Sequence, residues 1–186
     1  MNGEQSGDLL DPDRNYYVLK EKLWDWGGGD IYDERGQTIG KMKRKILSLR
    51  SEITISEPNG SPELTVNKKI VSLRRSYEIK DHQGNLLGIT KKKILSIIRP
   101  KMWMENANGE ETLIGQGSFA GWNFDIMNRQ GKKVAEVSKI DRWRDVIAGG
   151  IFDFSDTYAI HILDPTYDRR TLLGFVVAID NSVHDK

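Results

Sequence analysis

Apolar and polar residues alternate in short stretches along most of this chain, and the stretches recur at a fixed spacing. Residues 53–56 (ITIS) and 77–80 (YEIK) alternate as the residues of half-buried strands do. The segment KILSLR at residues 45–50 recurs 24 positions later as KIVSLR at residues 69–74, and residues 93–97 (KILSI) follow after another 24. A period this short indicates one supersecondary unit that is used repeatedly.

Turn signals follow the same spacing. Gly36, Gly60 and Gly84 each come three residues after an acidic residue, and Gly109 and Gly131 continue the series at intervals of 25 and 22. A second turn, half a period away, makes each unit a hairpin with strands of about nine residues. One strand per ~12 residues between residues 16 and 163 predicts about twelve strands. The pattern breaks at residues 142–148, where we expect a short helix.

The C-terminal segment has a different pattern. Residues 172–179 (LLGFVVAI) are apolar on every side, and a helix without a polar face must be buried all round. Asp164 is a good N-cap and Pro165 suits the first helical position. Together these signals predict a helix that extends from about residue 168 to residue 183. A short, fully buried strand is the alternative for the same residues.

Simple geometry favours the helix and indicates where it lies. Twelve strands ~4.8 Å apart and tilted by ~40° close into a cylinder with a radius of about 12 Å, which has room for one helix. The predicted helix would be about 24 Å long, close to the rise of a tilted nine-residue strand. We therefore predict a mainly β protein, a closed antiparallel barrel of about twelve strands that encloses a hydrophobic C-terminal helix. Residues 1–14, which are polar and acidic, are expected to form a disordered tail, and residues 15–186 a single domain.

Composition excludes several chemistries. The chain carries 28 Lys and Arg against 27 Asp and Glu, so no overall field attracts nucleic acid or membrane. It contains no cysteine, which excludes disulfides, thiolate metal sites and cysteine nucleophiles. The longest apolar run has eight residues, whereas a helical membrane span needs about 20. We expect a soluble, cytoplasmic protein without a transmembrane span, peripheral at the membrane if it binds lipid.

The local distribution of charge is far from balanced. Residues 41–50, 68–75 and 91–101 hold 14 of the 28 Lys and Arg and none of the acids. Because these segments share the hairpin period, we expect them at one end of adjacent hairpins, with the acidic turns at the other end. Such a basic pole suits anionic phospholipid, phosphoinositide or other phosphate groups; lysines that only keep strand ends solvated are the alternative. The candidate anion-binding residues are Lys43, Arg44, Lys45, Lys68, Lys69, Arg74, Arg75, Lys91, Lys92 and Lys93.

Several segments resemble the LURP-one-related family, which is related to the phospholipid scramblases and the tubby C-terminal domains. The segments are residues 30–36 (DIYDERG), 45–50, 92–96 (KKILS) and 176–185 (VVAIDNSVHD). The similarity extends from about residue 16 to residue 185. It implies a twelve-stranded barrel around a hydrophobic C-terminal helix. Distant tubby domains bind phosphoinositides through basic residues, so the resemblance also implies lipid binding by the basic segments.

Residues 139–158 look closer to the scramblases, in which the stretch corresponding to residues 152–158 carries a pair of acids proposed to bind calcium. Asp156 matches one acid of this pair, but Phe154 stands where the other would be, and Asp153 is one place out of register. Because calcium takes six or more oxygen ligands, we expect no metal site here. Calcium-triggered lipid scrambling is correspondingly disfavoured.

No arrangement in the sequence indicates catalysis. Ser48, Ser72 and Ser96 recur with the hairpins, and none lies in a Gly-x-Ser-x-Gly motif. The histidines lack metal-ligand spacing, and we expect no cofactor. The expected function is therefore a non-enzymatic module that binds anionic lipid or the phosphate groups of a protein partner. A scramblase-like membrane protein and an intracellular scaffold with no lipid ligand are the alternatives, while nucleic acid is disfavoured by the near-zero net charge.

Overall fold

A computed structural model describes residues 8–20, 28–47, 50–71, 74–92, 101–143, 146–147 and 157–184. Within these residues the chain forms twelve antiparallel strands, which pair in sequence order and close into a barrel through β1 and β12. The strands are β1 Tyr16–Lys20, β2 Gly28–Tyr32, β3 Thr38–Leu47, β4 Arg50–Ser56, β5 Pro62–Val71, β6 Arg74–Asp81, β7 Leu86–Lys92, β8 Lys101–Glu105, β9 Glu111–Ser118, β10 Asn123–Asn128, β11 Lys133–Lys139 and β12 Thr157–Ile162. The predicted mainly β, closed antiparallel barrel is confirmed.

Five hairpin turns share one design. In the first, the amide of Gly36 donates to the carbonyl of Asp33 at 3.2 Å, and Gly36 has a φ of 80°. The Asp33 carboxylate accepts from the amides of Arg35 and Gln37. The β2–β3 ladder then shifts its register, as a type I turn followed by a bulged glycine requires. The same turn, with its glycine at positive φ, recurs at Gly60, Gly84, Gly109 and Gly131. The turn prediction is confirmed, and the 24-residue period is the period of a hairpin.

These turns define the two ends of the barrel. The end that carries the five glycine turns is called the turn end. The opposite end, where β3, β5 and β7 finish, is called the basic end. Because β12 finishes at the turn end, the helix that follows it enters the barrel there and extends toward the basic end.

The helix α1, Arg169–His184, fills the interior of the barrel. Every residue from Leu172 to Asn181 is buried. Gly174 allows the helix to approach the wall closely, because a Cβ at this position would lie 2.5 Å from Cγ2 of Ile79. The predicted limits, residues 168 and 183, each differ from the observed ones by one residue, so the helical interpretation is confirmed.

The start of the helix differs from the prediction. Asp168 is the capping residue, since its carboxylate accepts from the amide of Thr171 at 3.0 Å and from the Thr171 hydroxyl at 2.6 Å. The prediction that Asp164 caps the helix and that Pro165 opens it is wrong. Asp164 closes a turn ahead of the helix, where its carboxylate accepts from the Thr166 amide and hydroxyl.

Residues 8–14 pack against the turn end. Leu9 is fully buried, and its amide lies 3.2 Å from both carboxylate oxygens of Glu57. The Tyr17 hydroxyl donates to the Leu9 carbonyl at 2.8 Å, and Arg169 of α1 donates to the carbonyl of Pro12 at 2.6 Å. The disordered tail predicted for residues 1–14 therefore does not include residues 8–14, because these contacts offset the entropy of ordering them. Residues 1–7 lie outside the described residues.

A short segment after β11 crosses the outer wall of the barrel. The 3₁₀ helix Ile140–Trp143 brings Ile140 against Val18 and Ala159, and Ile147 joins the same small apolar cluster. The short helix predicted at residues 142–148 thus begins two residues earlier, and residues 144, 145 and 148 lie outside the described part of the chain.

Candidate anion-binding site

Strand alternation divides the basic residues of β3 between two faces of the barrel wall. Met42 is buried in the core, so Arg44, two residues further on, shares the inner face with it. Lys43 and Lys45 lie on the outer face and are exposed, whereas Arg44 is half-buried. Strand β3 thus presents cations both to the surroundings and to the mouth of the barrel.

The same division holds on β5 and β7. Lys68 pairs in register with Tyr77, and Tyr77 pairs with Thr90. Because Tyr77 and Thr90 are buried in the interior, Lys68 lies on the inner face, as does Lys92, two residues after Thr90. Lys69 and Lys91 lie on the outer face.

The remaining candidates are placed only by their backbone or not at all. Arg74 and Arg75 belong to β6, where they pair with Val71 and Ile70 at the basic end. Lys93 lies outside the described residues. The described candidates of the three basic segments lie on β3, β5 and β7 and on the start of β6. The strand order and register show that these parts of the strands meet at one end of the barrel.

Two of the outer lysines are held by acids. Lys69 forms an ion pair with Glu78, and Lys80 reaches the same carboxylate at 3.4 Å. Burial raises the pKa of Glu78, but the two ammonium groups more than offset this, so the pKa lies below its ordinary value. Lys91 pairs with Glu105 at 2.5 Å, and this hydrogen bond lowers the pKa of Glu105. Lys69 and Lys91 are therefore largely neutralised within the protein.

Four other basic residues have no such partner. In the described parts of the chain, no residue forms an ion pair or a hydrogen bond with the side chains of Lys43, Arg44, Lys45 or Lys92. The Nε of Arg44 is shielded from solvent and has no hydrogen-bond partner, and the same holds for the hydroxyl of the fully buried Thr90. Both groups lie on the inner face of the wall.

Aromatic residues close the other side of the basic end. Trp122, fully buried in the turn between β9 and β10, stacks on Tyr158 with ring centroids 3.9 Å apart. Phe119 and Phe124 pack edge to face at 5.0 Å. The hydroxyl of Tyr158 donates to the buried carboxylate of Asp180 on α1 at 3.4 Å. The interior is thus sealed by aromatic rings on the β9–β12 side and lined by cations on the β3–β7 side.

The turn end has a different electrostatic character. A shallow cleft between residues 11–16 and 33–35 is lined by four acids and two arginines, together with Val146. The acids are Asp11, Asp13, Asp33 and Glu34. The sequence-based prediction of acidic turns opposite a basic pole matches this arrangement.

A second cluster of titratable groups surrounds Glu136 on the outer wall. Its carboxylate lies 3.3 Å from Nδ1 of His161, 3.5 Å from Arg142 and 3.6 Å from Lys133. The ring of Tyr16 stacks on His161 with centroids 4.4 Å apart. These contacts join the 3₁₀ helix to β1, β11 and β12, so we assign the cluster a structural role.

Across the described ranges, no three His, Asp or Glu side chains lie close enough together to hold a metal ion. Asp153, Phe154 and Asp156, which bear on the calcium question, fall outside those ranges. No helix in this part of the chain has the length and apolar character that a membrane crossing requires.

The fold and the arrangement of its ends define the class of protein. The described residues form a closed twelve-stranded antiparallel barrel that buries its own C-terminal helix, which is the architecture that the family resemblance implied. The sequence profile of the LURP-one-related family matches residues 16–180, and the chain belongs to this family, as the resemblance of its motifs implied. A crystal structure of an Arabidopsis thaliana protein is similar in fold, with a TM-score of 0.61, 15% sequence identity and coverage of 96% of this chain and 99% of that chain. No curated protein sequence matches the chain significantly.

Proposed function

We propose that this protein is a non-enzymatic binding module that recognises anionic phospholipid headgroups or other phosphate groups through its basic end. The observation that supports this function is a set of four cations at one end of a protein whose formal charge is only +1. Lys43, Arg44, Lys45 and Lys92 have no partner among the residues that the structure describes. Most ammonium and guanidinium groups at the turn end are satisfied locally; Lys132, for example, pairs with Asp164 at 2.8 Å.

The expected strength follows from the number of free cations. A basic residue close to an anionic leaflet contributes about 1 kcal/mol, so four of them contribute about 4 kcal/mol before the entropic cost of docking. Because charges more than about 8 Å apart are screened at physiological ionic strength, the interaction requires close contact. Such binding is reversible, and the protein would be peripheral at the cytoplasmic face of the membrane.

Vesicle co-sedimentation tests this function. We expect retention on phosphatidylcholine vesicles that contain phosphatidylserine or phosphatidylinositol bisphosphate, and weaker retention as salt rises from ~0.05 to ~0.5 M. The variant Lys43→Glu/Arg44→Glu removes one free cation from each face of the basic end and should lose most of the binding. Its control is Arg35→Glu/Arg129→Glu, which changes the net charge equally through two exposed residues of the turn end.

Four results would contradict the proposal in different ways. Equal retention on neutral vesicles would exclude an electrostatic mechanism. Equal loss in both variants would show that net charge matters and the basic end does not. A wild-type protein that ignores every vesicle and every phosphate would favour a scaffold with no lipid ligand, and calcium-dependent dye quenching in a scrambling assay would favour lipid transport.

A further inference from the structure

We propose that the phosphate group binds inside the mouth of the barrel, on cations that point inward from β3, β5 and β7, and not on the outer wall. We call this set the inner crown; it consists of Arg44, Lys68 and Lys92, with the hydroxyl of Thr90 beneath them. The inference rests on the proposed function and assigns that function a location.

The curvature of the wall distinguishes the inner cations from the outer ones. Arg44 and Lys68 each lie three residues before the end of their strands, and Lys92 is the last residue of β7. Strand β5 is two strands away from both β3 and β7, so its backbone is separated from each of theirs by about 10 Å around the wall. Side chains on the concave inner face converge, so the inner crown can surround one anion. Lys43 and Lys45 lie on the convex outer face, where side chains diverge.

The inner crown also contains donors that find no acceptor among the described residues. The Nε of Arg44 and the hydroxyl of Thr90 are shielded from solvent and lack a hydrogen-bond partner. Buried donors without a partner cost free energy. Six side-chain atoms of the described residues are in this state, and two of them, Arg44 Nε and the Thr90 hydroxyl, lie in the inner crown. Thr90 lies two residues before Lys92 on the same face of β7. An anionic oxygen held between Thr90 and Lys92 would supply the acceptor that the Thr90 hydroxyl lacks.

Negative groups of the helix face the same interior and offset part of this charge. The carboxyl end of α1 carries a partial negative charge, and Asp180 is fully buried. The Tyr158 hydroxyl holds Asp180 on the aromatic side of the mouth. Arg44 and Lys92 have no ion-pair partner among the described residues, so the β3–β7 side of the inner crown keeps their positive charge. Partial burial of Arg44 strengthens its attraction for an anion relative to an exposed lysine.

The shared chemistry of the ligand is a phosphate monoester, from a lipid headgroup or from a soluble inositol phosphate. One comparison separates the inner crown from the outer wall. Lys41 precedes the buried Met42 on β3 and therefore shares the outer face with Lys43 and Lys45. The crown variant Arg44→Gln/Lys68→Gln/Lys92→Gln and the outer variant Lys41→Gln/Lys43→Gln/Lys45→Gln remove three positive charges each. Inositol hexakisphosphate, titrated calorimetrically, and vesicles of phosphatidylcholine with phosphatidylinositol bisphosphate are the two probes. We expect the crown variant to bind at least about tenfold more weakly than the outer variant, since hydrogen bonds to charged groups contribute about tenfold each.

A single substitution keeps the test independent of folding. Thr90→Val replaces an unused buried hydroxyl with a methyl group of similar size, which should leave the thermal unfolding temperature unchanged or raise it. Phosphate affinity should nevertheless fall about tenfold, because the ligand loses a donor. Thr54→Val is the matched control, since Thr54 lies on the outer face of β4 opposite Lys43, and it should leave the affinity unchanged.

The outcomes separate this inference from the proposed function. Loss of both probes in the crown variant supports a headgroup site, and loss of the soluble probe in a protein that binds no vesicles supports a free phosphate ligand in the same place. Equal losses in the crown and outer variants, or full affinity in Thr90→Val, would overturn the inner site and leave the proposed function standing. A wild-type protein that binds neither probe would overturn both.

Discussion

Replacing Gly174 with alanine tests how closely α1 is packed against the barrel wall. The new Cβ would lie 2.5 Å from Cγ2 of Ile79 and 3.3 Å from Cδ1 of Leu64. Because Ile79 is β-branched, its Cγ2 is stiff and moves little without strand β6. In an isolated helix the same change stabilises by about 1 kcal/mol, whereas overpacking a well-filled core costs about 1–3 kcal/mol. The contact with Ile79 is far shorter than van der Waals distance, so we expect a net loss of about 1–2 kcal/mol.

Urea unfolding followed by circular dichroism measures this loss, and a double-mutant cycle identifies its cause. Ile79→Ala removes Cγ2 and should itself cost about 2–5 kcal/mol. If the clash with Ile79 is the cause, the double variant Gly174→Ala/Ile79→Ala should be more stable than the sum of the single losses predicts, by about 1–2 kcal/mol. A Gly174→Ala protein that gains about 1 kcal/mol, with additive single effects, would show that helix propensity alone acts and that α1 is not pressed against β6.

Two further predictions concern the turn end. Leu9→Ala should lower the free energy of unfolding by about 2–5 kcal/mol because Leu9 is fully buried; an unchanged urea midpoint would show that residues 8–14 do not pack on the barrel. Hydrogen bonds from Lys132 and Thr166 lower the pKa of Asp164 to about 2, below the value of about 3.9 expected in the unfolded chain. The stability that Asp164 contributes is therefore present above about pH 4 and lost as the pH falls toward 2. Thermal unfolding between pH 5 and 2 should show a shallower decline for Asp164→Asn than for the wild type, and parallel curves would contradict the assignment.

The barrel and its helix could be predicted because both leave periodic signals that do not depend on distant residues. The turn around Gly36 needs only its own four or five residues: Asp33 accepts the amides that follow it, and the glycine takes a positive φ. Residues 172–179 are apolar on every side, so any helix that they form must be buried. The repeated glycine turn indicates the number of strands, and the length of the apolar segment matches the height of the barrel that these strands form. Together they predict a barrel with a helix inside.

Features that depend on the meeting of distant residues could not be predicted in the same way. Asp164-Pro165 and Asp168 both match the start of a helix, and the difference lies in Lys132, which is 32 residues away and pairs with Asp164. The position of Leu9 depends on Gly40, since a Cβ there would lie 2.8 Å from Cδ1 of Leu9. The composition of residues 8–14 is typical of a disordered tail. The space that Gly40 leaves for Leu9 gives no signal in the sequence around Leu9.

The candidate site falls between these cases. Its location at one end follows from the hairpin period. Arg44 comes two residues after the apolar Met42, and this spacing was a sequence signal that Arg44 lies on the inner face. Neutralisation of Lys69 by Glu78 could not be predicted, because it depends on the register of β5 against β6, where Lys69 lies opposite Ser76 and diagonal to Glu78. The basic segments are alike in sequence, but their cations differ in availability.

Filling the barrel with α1 restricts where a ligand can bind. The interior holds the helix, the glycine turns and residues 8–14 cover the turn end, and aromatic rings seal the β9–β12 side of the basic end. Within the described residues, the unused donors of Arg44 and Thr90 occur on the side of the mouth that these rings do not cover. A protein selected for stability alone would gain by replacing Thr90 with valine, since an unpaired buried hydroxyl costs about 1–3 kcal/mol. If Thr90→Val raises stability and weakens phosphate binding, the threonine is kept for the ligand, and the cost in folding free energy is a consequence of binding.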